Sequence, residues 1–391
     1  MKFYNKSSFK RINRKNLIIS ICIIILILLL IISFSLYIAN QNIRDFFDVY
    51  LFKKNISSSN SNKIDFNDDE STFVFAYDKY VAVLNKNTFS AYNSSGNKAF
   101  NLTTELNNPI SSSANRFIAL AEKDGQKVYL ISGQNIIWQK DIEGNISKIS
   151  VNKNGYVSLI ASSTSYKSIV ITYDSTGKEL FKTYLSSTLA IDSAISNDNK
   201  YLSVAEINYS GTSIQSNIKI LSIEKAQSDP TNAIDYIYPA ESNSIIIDIN
   251  YSSKNKLICM YDNAIHLIQN NNNDTELTKI SDKTDLFFDI NLTDTYIKIS
   301  QGSNTLFSNN EAHLVDVSSN KDNLYTINGT PKAIYCADST IAINLGSEID
   351  FINNSGWLIK KFNTTQEAKN VVLGSGIAGV VYKNKVEIIN L

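Results

Sequence analysis

Residues 333–362 read AIYCADSTIAINLGSEIDFINNSGWLIKKF, and this stretch decides the fold. It holds four short runs, Ala333–Ala337, Thr340–Leu345, Glu348–Asn353 and Trp357–Phe362. Each is rich in Ile, Tyr or Phe, and each break carries Asp-Ser, Gly-Ser or Asn-Ser-Gly. Short apolar runs alternating with such turn residues predict antiparallel strands joined by tight turns. The same order recurs in Phe73–Tyr77, Tyr80–Leu84, Thr88–Asn93 and Lys98–Leu102.

Two turns repeat with these groups. One precedes the fourth strand: Asn93-Ser-Ser-Gly96, Asp174-Ser-Thr-Gly177 and Asn353-Asn-Ser-Gly356. Its glycine supplies the positive φ, and its Asn or Asp can hydrogen-bond the local backbone. The other precedes the second strand: Asn152-Lys-Asn-Gly155 and Asn197-Asp-Asn-Lys200, with weaker copies at Ser253–Lys256 and Thr293-Asp294.

Groups begin near Phe73, Pro109, Ile146, Leu189, Ile245, Leu286, Lys332 and Lys369. Their spacing of about 35–55 residues suits four-stranded propeller blades, which cannot cover both faces alone and stack around an axis. From Lys63 onward the pattern reads as period two, with no convincing amphipathic helix beyond a turn or two at Ile223–Gln227. The last group ends after three strands, and Lys63–Phe66 is a spare strand at the front. Pairing the two would close the ring and leave no large open edge. The expectation is an all-β propeller of eight blades over 63–391, with seven as the alternative if a long group is misread.

This text resembles the WD40-like and quinoprotein-like propellers. The resemblance rests on the Asp174-Ser-Thr-Gly-Lys178 turn before a fourth strand and on Gln134-Asn-Ile-Ile-Trp138. As a whole the chain is similar to single-pass Gram-positive envelope proteins that form a domain family of unknown function, so the resemblance implies fold and topology but no activity. A quinone-dependent dehydrogenase would repeat a Trp motif in most blades, whereas this chain has two tryptophans, Trp138 and Trp357. No cofactor is expected.

Ahead of the repeats, Leu17–Ala39 reads LIISICIIILILLLIISFSLYIA, without a charge. About 20 apolar residues suffice to cross a bilayer as a helix. Lys2, Lys6, Lys10, Arg11, Arg14 and Lys15 precede it, and no acid occurs before it. The positive-inside bias then predicts a cytoplasmic tail at 1–16, a transmembrane helix at 17–39 contacting membrane lipid, and everything later outside. A cleaved signal peptide competes, but its apolar core is shorter and Tyr37-Ile38-Ala39-Asn40 is a poor cleavage match. Ile43, Phe46, Phe47, Tyr50 and Leu51 share one helical side, so 40–62 reads as a juxtamembrane helix followed by the polar linker Ile56–Asn62.

Charge excludes one class of function. The whole chain is neutral, but six of its 37 basic residues lie in the tail, leaving 31 against 37 acidic ones beyond it. A nucleic-acid binder should show a basic face, so no nucleic acid is expected. Cys259 and Cys336 lie far apart in apolar text and read as buried free thiols; Cys22 falls in the membrane run. About one residue in eight is Asn, so Asn-x-Ser/Thr triplets at Asn101, Asn145, Asn291 and Asn363 arise by chance.

No motif in the chain marks a catalytic, cofactor or metal residue. Asp65–Glu70 is dense in acid but lacks the glycine of a calcium loop, and reads as solvated. His266 and His313 are isolated in strand-like text, too few for a zinc site and beside no nucleophile elbow. Gly374-Ser-Gly376-Ile-Ala-Gly379 mimics a dinucleotide loop, but no helix follows, so tight strand packing is preferred. Asp229–Asn232 and Asn270–Asp274 mark the longest insertions, where a rigid scaffold could carry binding loops.

Two functions survive. The favoured one is a membrane-tethered extracytoplasmic scaffold for an envelope protein, peptide or wall glycan. The alternative is a hydrolase or lyase acting on a cell-surface polymer through carboxylates near the axis. Two close carboxylates in a deep pocket would favour the enzyme, and exposed aromatics on a face would favour binding.

Overall fold

In the computed structural model, the four runs of 333–362 form one antiparallel sheet, with Ala333 opposite Asn344, Thr340 opposite Asn353 and Glu348 opposite Asn363. The structure describes residues 14–39, 47, 51, 61–66, 72–269, 273–281, 283–302 and 309–391, with side chains of the N-terminal helix given from 21 to 37. The chain divides into two units, 1–56 and 57–391.

The second unit is an eight-bladed β-propeller. Blades 1 to 7 are the four-stranded meanders at 72–103, 109–141, 145–185, 189–239, 246–279, 285–327 and 333–363. Blade 8 takes three strands from 370–390 and its outermost strand, Asn62–Asp65, from the front of the unit. That strand runs antiparallel to Lys385–Asn390, with Asn62 opposite Ile388 and Asp65 opposite Lys385. The charge of Glu387, buried under this closure, is met by Lys385 Nζ at 2.6 Å, Lys63 Nζ at 3.8 Å and the Ser61 hydroxyl at 2.9 Å. The expected eight blades and the closing pair are both present; seven blades are not.

Packing between blades explains one departure from the sequence pattern. Period two was expected throughout, yet the second strands Tyr80–Asn85 and Phe117–Glu122 are buried at five consecutive positions. Both of their faces are covered by neighbouring blades, so both must be apolar. Val157, Leu159 and Ala161 face blade 2, while Ile160 between them faces blade 4. Among the described residues eight apolar clusters form, one at each blade boundary. The last joins Val81 and Val83 of blade 1 to Ile377, Val386 and Ile388 of blade 8.

The recurring turns work as their residues suggest. Asn93 Oδ1 accepts from the backbone N–H groups of Ser95 and Asn97 at 3.0 Å each. Asp174 Oδ1 does the same for Thr176 and Lys178, and Asn353 Oδ1 for Ser355 and Trp357. The following glycines all have positive φ, and each lies against the outer strand of the preceding blade: Gly96 on Asn62, Gly177 on Trp138, Gly356 on the Leu324 carbonyl. Gly379 is wedged among Val372, Val81 and Val386, so the glycine run at 374–379 serves strand packing.

The helical turn expected at Ile223–Gln227 is a one-turn helix, Ile223–Ala226, capped by Ser222, and in the insertion at Asp229–Asn232 the residues Pro230–Asn232 form a 3-10 turn capped by Asp229. Asn273 and Asp274 belong to the outer strand of blade 5, whereas 270–272 lie outside the described residues. Asp65 ends the closing strand, and the rest of its acidic cluster from 67 lies outside them too.

In the first unit, helix α1 spans Arg14–Ala39 without interruption. Counting only its described side chains, no helix is long and apolar enough to cross a membrane. The tail ahead of Arg14 and nearly all of the juxtamembrane segment lie outside the described residues.

Candidate functional site

The innermost strand of each blade faces the axis, and among the described residues no backbone ladder joins one innermost strand to the next. Side-chain bonds and single backbone bonds between neighbouring turns make those connections. Val151 N–H donates to Ser112 Oγ across blades 2 and 3 (3.1 Å), and the Asn250 amide donates to the Ile290 carbonyl across blades 5 and 6 (3.2 Å). At one end of the ring the turns after these strands are stitched in series. Asn152 Nδ2 donates to the Ser196 carbonyl (3.0 Å), Asn197 Nδ2 to the Ser252 carbonyl (2.8 Å), and Ser253 N–H to Asp294 Oδ1 (2.8 Å). Thr293 N–H reaches the Asp338 carbonyl at 2.6 Å. Asn152 thus donates sideways while its Oδ1 accepts from Asn154 and Tyr156 N–H in its own turn.

These turns rim a cavity of about 940 Å³ opening at that end of the ring. The wall is polar: Ser111, Ser112 and Ser113 from blade 2, Asn250 and Asn291 from blades 5 and 6, and Asp78 and Asp338 at the rim. Its lining includes Lys148, Asp192 and Asp248, from the innermost strands Asn145–Val151, Leu189–Ile195 and Ile246–Tyr251 of three successive blades. Lys148 Nζ stands 2.7 Å from Asp192 Oδ1 and 3.7 Å from Asp248 Oδ1.

Each of the three side chains follows a β-bulge: the pairing register skips a residue between Ile146 and Lys148, Ala190 and Asp192, and Ile246 and Asp248. A bulge turns the strand and re-aims the next side chain, so the repeated defect brings these groups together. Asp192 is buried and fully engaged. Its Oδ1 accepts from Lys148 and from its neighbour's N–H at Ser193 (2.8 Å), and its Oδ2 accepts from Ile249 N–H (3.0 Å). Asp248 accepts from Ile249 N–H and from Asn291 Nδ2 (2.9 Å).

One lysine faces two carboxyls here. Burial, then the adjoining Asp248 carboxyl, pushes Asp192 above the ordinary carboxylate range, with Lys148 opposing. Asp192 therefore holds its proton to higher pH than an exposed aspartate does. Asp289, on the innermost strand of blade 6, is pushed up to about 6 by burial and by the Asp248 charge, against the Asn291 N–H. Among the described residues no group of three His, Cys, Asp or Glu side chains is placed to hold a metal ion.

The structure separates the residues singled out in the sequence. His266 Nδ1 lies 3.0 Å from Asp274, and His313 Nδ1 2.8 Å from Asp322, in each case across two outer strands and away from the cavity lining. Cys259 is buried as expected, while Cys336 is only half-buried and lines the cavity; both are free. Lys148, Asp192 and Asp248 belong to no recognisable motif, yet their positions repeat. Asn152, Ser196 and Ser252 open equivalent turns, bonding through N–H to the Tyr156, Tyr201 and Lys256 carbonyls. The charged residue stands four positions before each.

No curated protein matches the chain. Among solved structures, Sqt1 of Chaetomium thermophilum, bound to the N-terminus of the ribosomal protein L10, shares 11% identity over 85% of this chain and 100% of its own, with a TM-score of 0.53. BamB from Moraxella catarrhalis shares 11% over 84% and 98%, with a TM-score of 0.48. Such likeness at this identity is one of fold. Residues 52–391 match the model of a family of unknown function (DUF5711), and the chain belongs to that family.

Proposed function

We propose that this chain is a membrane-tethered interaction module, with its propeller outside the cytoplasm and the axial cavity taking a ligand or a protein segment of the cell envelope. The observation that carries the binding reading is the state of the carboxyl pair. Both Asp192 oxygens are already held by Lys148 and two backbone N–H groups, and Asp248 is held by Asn291. Groups so committed shape and stiffen a recognition surface. The tether rests on the uncharged run Leu17–Ala39 behind six basic residues.

Crosslinking in intact cells with the tagged full chain, followed by identification of what is captured, tests this reading. A partner retained by the unaltered chain and lost on Ser112→Arg, which would fill the cavity wall, is the expected result. Protease protection of spheroplasts tests the topology: the propeller should be cleaved from outside.

A second reading keeps one supporting fact. A protonated carboxyl beside a second one in a cavity is the arrangement of glycoside-cleaving acids. If the purified protein depolymerises wall material and Asp192→Asn abolishes this, the hydrolase or lyase reading replaces the binding one.

A further inference from the structure

The opposite end of the ring differs in character. There the loops 162–167 (SSTSYK), 185–190 (LSSTLA) and 208–215 (NYSGTSIQ) of blades 3 and 4 meet. Lys167 is their only charged residue. The Tyr166 and Tyr184 rings lie 4.6 Å apart, and Lys167 Nζ sits 4.3 Å from the Tyr209 ring while donating to the Ser187 carbonyl and Ser210 Oγ, both at 3.1 Å. Elsewhere tyrosines such as Tyr77, Tyr173, Tyr251 and Tyr261 are buried between blades, but Tyr184 is 44% and Tyr209 55% exposed. Leu189, 39% exposed, extends the patch toward the axis.

The loops are braced from within. Ser163 Oγ accepts from the Ser165 and Tyr166 N–H groups, and Asn208 Oδ1 from Ser210 N–H. Thr188 donates to buried Glu206 at 2.8 Å, which Lys219 neutralises at 2.6 Å, and Ala190 N–H donates to Ser168. Exposed tyrosines in and beside loops of Ser, Thr, Gly and Asn combine rigid aromatic contact area with adaptable hydrogen bonding, the composition of protein-binding paratopes. Preorganisation lowers the ordering cost of such contact.

We infer that the patch of Tyr166, Tyr184, Leu189 and Tyr209 around Lys167 is a second docking surface, separate from the cavity, for an apolar polypeptide segment of another protein that carries an acidic residue opposite Lys167. Charge selects this occupant. The chain beyond its basic tail bears 31 basic against 37 acidic residues, so an acidic segment is repelled by the ring as a whole. It meets one cation and no anion on these loops. Two of the three Lys167 N–H groups are spent within the patch, and the third can meet a carboxylate. A basic segment drawn by the overall charge would meet Lys167 and no anion on these loops.

The test pans a random linear peptide display library on the full chain in lipid nanodiscs, with counter-selection on the Tyr184→Ser/Tyr209→Ser double variant. The expected peptides combine aromatic or aliphatic residues with Asp or Glu and lack Lys and Arg. A synthetic peptide of that sequence should bind the unaltered chain at least about tenfold more tightly than either the double variant or Lys167→Glu. It should bind Asp192→Asn as it binds the unaltered chain. Thermal unfolding accompanies each variant; should the double variant unfold early, Tyr209→Ser alone, at a half-exposed site, takes its place with the same expected loss. Enrichment that survives the tyrosine changes, peptides that are basic, no enrichment at all, or loss of binding in Asp192→Asn would each overturn the inference. The last outcome points to the cavity, so failure here is distinguishable from failure of the cavity reading.

Discussion

At the scale of single residues, the turn glycines and asparagines carry the most predictable energetics. Gly177 has φ +85°, and a Cβ there would stand 2.7 Å from Trp138 Cγ. Gly177→Ala combines backbone strain with a clash between blades, so a loss of about 2–4 kcal/mol is expected in denaturant unfolding. Gly133 has φ +56° and open space around its Cβ position, so Gly133→Ala should cost only the strain, about 1–2 kcal/mol. Equal losses for the two would show that the approach to the preceding blade is unimportant. By the same logic Asn353→Asp should be nearly neutral, within about 0.5 kcal/mol, because Asp174 already performs this turn with a carboxylate. Asn152→Ala removes both the turn acceptor and the donor to blade 4, and should cost about 1–3 kcal/mol.

At the scale of the element, the closing strand Asn62–Asp65 decides whether the ring is continuous. Without it the strand Lys385–Asn390 presents an unpaired edge, and Glu387 loses Ser61 and Lys63. A protein lacking residues 57–66 should unfold at lower temperature and self-associate through that edge in size-exclusion chromatography. A synthetic peptide of residues 61–66 added in trans should partly reverse both effects. A monomer of unchanged stability would mean that the apolar contacts of Val81 and Val83 with Ile377, Val386 and Ile388 close the ring unaided.

At the scale of the whole molecule, the axial carboxyls tie three blades together and make stability depend on pH. A carboxyl raised on folding keeps its proton in the native ring after the unfolded chain has released its own. Its contribution is therefore full below the ordinary carboxylate pKa, about 4, and is lost as pH rises through the folded value. For Asp289, raised to about 6 first by burial, the window is roughly pH 4–6. For Asp192, raised by burial and Asp248, the loss likewise begins near the ordinary value. Glu387 acts oppositely: its partners Lys385 and Ser61 lower it, and its contribution is lost as pH falls below the ordinary glutamate range. The difference between variants isolates the axial term. Thermal unfolding at constant ionic strength should fall less steeply with rising pH in Asp192→Asn than in the unaltered chain; parallel curves would refute the raised Asp192 carboxyl.

The sequence by itself determined the repeat. Strand and turn residues recur at short range, so groups starting near Phe73 or Pro109 could be aligned, the ring counted and the spare strand at Lys63–Phe66 assigned to its closure. Local chemistry such as an Asx turn needs only neighbours in sequence. What tertiary structure alone decided is which repeats meet across the axis and with what charge. Lys148, Asp192 and Asp248 lie 44 and 56 residues apart and become one ion cluster only because three bulged strands converge. Likewise Tyr184 and Tyr209 read like any other strand-flanking tyrosines. Their exposure follows from where they stand in the closed ring, Tyr184 near the end of the outermost strand of its blade and Tyr209 in a loop at the same end, a property of the assembly of blades and of no single repeat.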